Sequence, residues 1–361
     1  MELKEDWEQA KQRMEAWWVG EVLDRPCLQV TAPKPGWQER LRRAAERPAD
    51  ISLERWWTDV ELILERERCR LEGTFFGGEA FPLFNPNLGP DIFAAFLGSP
   101  LRFVDTTTNW ADPAFASWEE APTFRLDRSN RWWQLMQALL RAASEAGEGR
   151  WITGVPDTHA GADALSALRG TDLLCLDFYD RPEQVRQALR QIDSVTKEVY
   201  EAYFAILQPQ RHGSSSGWLP AWHHGRANAV QCDFIALISP AIMREFVLPS
   251  ILAELECLDR AVFHLDGPGA IVHLETLLEL PQIQAIQWVP GAGNEPMTRW
   301  IPLLQRIQDA GKGLHLSCTP EEVPVLLSEL RPQGLLLHTS TATVEQAQDL
   351  LQLVAKKHRP G

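Results

Sequence analysis

The sequence predicts an α/β protein: a single (β/α)8 TIM barrel over residues 26–361, preceded by a helical N-terminal extension over residues 1–25. Three observations predict it. From residue 151 short apolar runs alternate with amphipathic helical segments, the pattern of parallel βα units. Together with two earlier strands those units bring the count to eight. No G-x-G-x-x-G opens a helix after a strand and no Walker-type loop is present, which removes the usual nucleotide-binding alternatives.

Each element has a local reason. Apolar residues at helical spacing mark helices over 7–18 and 53–71, the second capped by Ser52. The run 26–30 reads as a short buried strand after the Pro26 stop, and a second strand lies near 81–84. Between Gly73 and Pro113 the chain is rich in Gly, Pro and Asn and reads as a long functional loop. Strands follow at 151–155, 229–234, 261–265, 284–288, 313–316 and 334–337. Helices are expected at 159–169, 182–207, 240–258, 270–280, 296–310, 320–330 and 344–356.

Of 361 residues, 45% are apolar and 23% charged, a globular mixture that excludes a disordered or fibrous chain. The formal charge of −14 argues against nucleic acid or an anionic membrane as partner. No apolar run approaches the roughly 20 residues of a membrane-spanning helix. The first 18 residues are charged throughout, unlike a secretory signal, and the six cysteines are scattered, so a cytoplasmic protein is expected. The 15 tryptophans serve either a ligand pocket or an aromatic core.

Barrel enzymes carry their chemistry at the C-terminal ends of the strands. Applied here, that rule collects Asp157, His159 and Asp163 after the third strand, then Gln231, Cys232 and Asp233 at the fourth. His264 and Asp266 end the fifth, Gln287 and Trp288 the sixth, Ser317 and Cys318 the seventh, and His338 the eighth. His264 and Asp266, two apart on a strand, share a face. They are candidate Zn²⁺ ligands, with Cys318 or His338 as the third. Without metal, the same groups would form an acid–base set. His315 reads as structural. The loop 218–226, with Trp222, His223 and His224, is a candidate substrate wall.

The stretch Ile238-Ser239-Pro240 through Glu245-Phe246-Val247-Leu248-Pro249, then His264-Leu265-Asp266-Gly267 and Leu337-His338, resembles the uroporphyrinogen decarboxylase superfamily. The resemblance implies the barrel fold over about residues 150–355 and, among the superfamily's activities, decarboxylation or zinc-dependent methyl transfer with a corrinoid protein as partner. Its members are often homodimers. The family's arginine-rich segment after the first strand is replaced here by residues 28–36, and the aspartate after the second strand by Phe84-Asn85-Pro86-Asn87. A substrate bearing several carboxylates would therefore lack its cationic partners.

The expectation that follows is zinc-dependent methyl transfer between a small substrate and a corrinoid. In it Asp233 and His159 orient or protonate the substrate, while Trp222 and Trp288 close the pocket. Asp157, His223, His224, Cys232 and Gln287 would contact the substrate. One alternative is a metal-free decarboxylase anchored by Arg226, Arg169 or Arg299. Another is a non-catalytic barrel that holds a corrinoid or tetrapyrrole.

Overall fold

The computed structural model of the chain describes residues 1–357. Eleven strands are present among them: β1 (Cys27–Pro33), β2 (Thr74–Gly78), β3 (Leu83–Phe84), β4 (Leu101–Phe103), β5 (Asn109–Ala111), β6 (Ile152–Thr153), β7 (Ala227–Gln231), β8 (Arg260–Asp266), β9 (Ala285–Val289), β10 (Gly313–Ser317) and β11 (Leu335–Ser340). Seven form one sheet in the order β2-β1-β11-β10-β9-β8-β7, parallel throughout except for β2. β3 pairs in parallel with β6, and β4 with β5 as a separate antiparallel ribbon.

All eight expected strands thus exist near their expected positions, with helices between them, in a barrel-like α/β arrangement. The ladder of hydrogen bonds does not close, however. Among the described residues it is interrupted between β1 and β3 and again between β6 and β7. At the first gap β2, unforeseen in the long loop, runs antiparallel beside β1. The buried Glu79 clips that edge, accepting from Leu28 N at 2.8 Å and from both ends of the Arg25 guanidinium at 2.8 Å.

At the second gap the segment 213–224 does the work of a strand. Val155 N donates to Ser215 O and Gly217 N to Val155 O, each at 2.8 Å. Ser214 pairs with His223 through both backbone amides, and its hydroxyl bonds Gly225 O at 2.7 Å. Small side chains make this possible. A Cβ on Gly154 would stand 2.3 Å from Gly217 Cα, so the two backbones pack as closely as glycine allows. The tip of the segment reaches the barrel interior, where Pro220 O accepts from Gln29 Nε2 at 2.8 Å.

The lower interior is filled by Cys27, Ala227, Ala229, Val262, Ala285 and Leu336 from the strands. Leu219 and Ala221 from the inserted segment join them, as do Trp17 and Trp18 from the helix Trp7–Trp18. Four small strand residues leave the volume that two indoles and a loop occupy. Each indole also spends its N–H, Trp17 on Gly334 O (2.8 Å) and Trp18 on Trp222 O (2.9 Å).

The helix expected at 240–258 is interrupted by a π turn at Met243–Val247 ahead of Leu248–Leu255. Pro249 has no N–H to return to the preceding turn, and the widened turn absorbs that loss. The helix expected at 53–71 divides at Asp59, which caps its second half by accepting from Leu62 N at 3.1 Å. No helix among the described residues is long and apolar enough to cross a membrane.

Candidate active site

Parallel pairing aligns Gln231, His264, Gln287 and His315 across β7, β8, β9 and β10. Aligned residues of a twisted parallel sheet share a face, and this row faces the interior. His264 Nδ1 lies 2.6 Å from Gln287 Oε1. An amide oxygen can only accept, so Nδ1 carries a proton, and in the neutral ring the lone pair is then on Nε2.

Two carboxylates face that lone pair. Asp266 is two residues along on the same face of β8, and Asp233 opens the turn after β7, with its Oδ1 3.9 Å from His264 Nε2. Donor atoms of Asp233, His264 and Asp266 all lie within 4.8 Å of one another. Burial pushes both carboxyls above the usual range; Asp163 and Asp157 add to it at Asp233 and Asp233 adds to it at Asp266, against the pull of His264 in its charged form on both and of His159 on Asp233. No lysine or arginine pairs with either carboxylate among the described residues. One nitrogen lone pair and two carboxylates without a lysine or arginine partner make a donor set suited to a divalent cation. The edge of Trp218, from the inserted segment, meets the His264 ring at 5.1 Å between centroids.

The neighbouring turn carries a second polar group. His159 Nε2 lies 3.3 Å from Asp157 Oδ2, and its Nδ1 lies 3.9 Å from Asp163 Oδ2. Burial opposes charge on this ring, but Asp157, Asp163 and Asp233 together outweigh it and raise the pKa to about 10. His159 is therefore an imidazolium at neutral pH. Asp163 also shapes the trio, because its carboxylate accepts from the N–H groups of Asp233 (3.0 Å) and Phe234 (2.9 Å). Gln231 donates to Asp157, tying the row to this cluster.

Other expected residues lie elsewhere. Neither Cys318 nor His338 joins the donor trio. Asp233, expected to orient substrate, takes the third place. Burial drives the Cys318 thiol up to about 12, while its backbone N–H bonds His338 O. His338 points into the interior and lines a cavity of about 310 Å3 with Gln29, Trp218 and Asn85, at the gap between β1 and β3. Trp288 alternates with the inward Gln287 and so faces outward, fully buried against Trp300 at 4.9 Å between centroids. It offers no exposed surface to the His264 site. Cys232 is a buried thiol directed at Asp163, and burial holds it protonated.

The loop 218–226 divides between the two ends of the barrel. Trp218 belongs to the site, but Trp222, His223 and His224 precede β7 and lie at the opposite end. There Trp222 and His224 line a separate cavity of about 580 Å3 with Trp7 and Lys11. His223, His224 and Glu15 also bring donor atoms within 4.8 Å of one another. Yet Gly225 N donates to His223 Nδ1 at 2.9 Å, which puts the ring's hydrogen on Nε2, facing Glu15 Oε2 at 3.5 Å. That arrangement tethers the N-terminal helix rather than offering a lone pair. The three candidate arginine anchors are engaged away from the trio. Arg226 pairs with Glu201, Arg169 with Asp177, and Arg299 lies over Trp300.

Trp218 opens the loop 218–226, but its contact with His264 depends on the threading of 213–224 through the interior, which spacing along the chain does not report. The run Gly213-Ser-Ser-Ser-Gly217 was the available signal, since only small residues allow such an approach.

No protein-family model matches the chain, and none of the curated proteins does. Among solved structures, a methyltransferase from Methanosarcina mazei superposes with a TM-score of 0.62 over 96% of this chain and 98% of its own, at 12% sequence identity. At that identity the likeness is one of fold: the mostly parallel, barrel-like α/β architecture is shared along nearly the whole length of both chains.

Proposed function

We propose that this protein is a metal-dependent methyltransferase whose site is the Asp233–His264–Asp266 trio, moving a methyl group between a small substrate and a corrinoid. The reading includes a divergent place in the uroporphyrinogen decarboxylase superfamily and a barrel of eight βα units. The observation that carries it is His264, locked by Gln287 with Nε2 facing two carboxylates that no lysine or arginine among the described residues pairs. The name of the structural neighbour supports the choice of reaction class.

Zinc, the metal proposed, would act as a Lewis acid that makes a substrate heteroatom more acidic and more nucleophilic. The protein's own groups do the rest. Gln287 holds the tautomer that leaves Nε2 available. Asp163 fixes the backbone from which Asp233 projects. His159, charged beside Asp157, orients an electron-rich substrate group or returns a proton to it. Trp218 walls the site with an apolar edge that excludes water.

Tag-free protein titrated calorimetrically with Zn²⁺ tests the site, and methylcobalamin with a panel of small thiols and alcohols tests the reaction by its visible absorption. We expect one equivalent of zinc bound, loss of binding in His264→Ala, and spectral turnover only in the zinc-loaded wild type. Wild-type protein that binds no divalent metal would remove this mechanism.

A further inference from the structure

Behind the polar turn lies a buried chain of hydroxyl and carboxyl groups with no part in the scheme above. Glu254, on the helix Leu248–Leu255, is 4% exposed, and its Oε1 lies 2.7 Å from the hydroxyl of Tyr200, itself wholly buried on Pro182–Leu207. The same hydroxyl lies 3.1 Å from Thr158 Oγ1 and receives the Asn228 side-chain N–H at 2.8 Å. Thr158 stands between Asp157 and His159 in the chain, so the series ends at the turn that carries both.

A carboxyl group so placed is costly to ionise, because no lysine or arginine among the described residues pairs with it. Its charged neighbours are Asp157 and Asp163, which oppose ionisation, and His159, which favours it. Burial dominates and raises the group to about 8.

We propose that Glu254, Tyr200 and Thr158 form a buried proton store wired to the Asp157–His159 turn. Hydrogen-bond geometry allows two directions along the same atoms. Asn228 can only donate, which leaves the Tyr200 oxygen one further acceptor position and one hydrogen to give. With Glu254 protonated, its O–H donates to Tyr200, whose own hydrogen points to Thr158 Oγ1, and the Thr158 hydrogen turns toward the site. With Glu254 ionised, Thr158 donates to Tyr200 and Tyr200 to the carboxylate. Passage between the two moves one proton. The Glu254 O–H breaks as a new one forms on Tyr200, Tyr200 passes its hydrogen to Thr158, and Thr158 gives its own to a carboxylate of the turn. The chain of three then carries one proton fewer and the turn one more, with no redox change.

The store concerns the rim of the proposed site but needs no metal, and it is tested on the metal-free, full-length protein. Infrared spectroscopy across pH reads the carbonyl stretch of a protonated carboxyl group. At pH 7 the wild type should show a carboxylic acid band, which disappears with a midpoint near 8 and is absent from Glu254→Gln. In Tyr200→Phe the carboxylate loses its donor, so the midpoint should move upward. By ¹⁵N NMR, the His159 titration should fall to lower pH in Glu254→Gln, because the ionised carboxylate no longer supports the imidazolium. An absent acid band in the wild type at pH 7, or an unmoved His159 titration in a folded Glu254→Gln protein, would overturn the proposal. The wild-type pH series stands by itself if the glutamine variant fails to fold. A protein that binds no zinc yet shows the band would retain the store and lose only the metal reading.

Discussion

Gln287 contributes one acceptor at 2.6 Å from His264, yet the chemistry of the trio depends on it. Remove that acceptor and the imidazole proton is free to move to Nε2, the nitrogen that must be bare to hold a cation. Gln287→Leu keeps the buried volume and deletes the acceptor. Its zinc affinity should fall about 10- to 100-fold, the usual cost of a lost outer partner, as read by calorimetry. Unchanged affinity would show that the tautomer is set by something else. His264 and Asp266 were readable as a pair from the alternation of β8. Their third companion was not, because Asp233 enters through a turn that Asp163 shapes from another element. Spacing along one strand cannot report a contact made through a neighbouring helix.

At the scale of elements, the helix Trp7–Trp18 is less an extension than a plug. Trp17 and Trp18 fill the space that Ala227, Ala229 and Ala285 leave empty. Trp17→Ala should therefore cost about 3–5 kcal/mol of stability, as large-to-small changes in a core do, measured by chemical denaturation. A loss under about 1 kcal/mol would place Trp17 outside the core, since fully buried indoles cost more. The inserted segment makes a matching demand at Gly154, where a Cβ would meet the Gly217 backbone. Gly154→Val should destabilise by about 1–3 kcal/mol or more and shift the fluorescence of Trp218 as its ring leaves His264. The eight strands were legible because apolar runs and turn residues are local. The plug, the inserted segment and the extra strand β2 were not, since each is set by what the opposite wall of the barrel leaves vacant. Trp288 illustrates the same limit: alternation next to Gln287 predicts its outward face only once Gln287 is known to point in.

For the whole molecule, the buried Glu254 ties stability to pH with a definite sign. Its carboxyl is raised from the ordinary value near 4.5 to about 8 in the folded chain. Between those values the unfolded chain has released the proton and the folded chain retains it, so folding takes up a proton. Stability attributable to this group therefore falls as pH rises from about 4.5 to about 8 and is level above that. Glu254→Gln, which cannot ionise, should flatten that slope and be the more stable protein at pH 8, as seen in thermal melts across the range. Identical slopes would mean that Glu254 is ionised in the folded state. The charge of −14 lies on the same scale. It leaves a divalent cation favourably attracted from a distance, a long-range pull that salt screens, whereas the trio's own contacts persist at high salt.

The central claim is that one cation sits among Asp233, His264 and Asp266, and a crystal grown with zinc and measured on both sides of the zinc absorption edge tests it most directly. The account predicts a single strong anomalous peak within bonding distance of His264 Nε2 and an oxygen of each aspartate, with Gln287 still bonded to Nδ1. A map with no peak there, or with its peak at Cys318 and His338 instead, would contradict it.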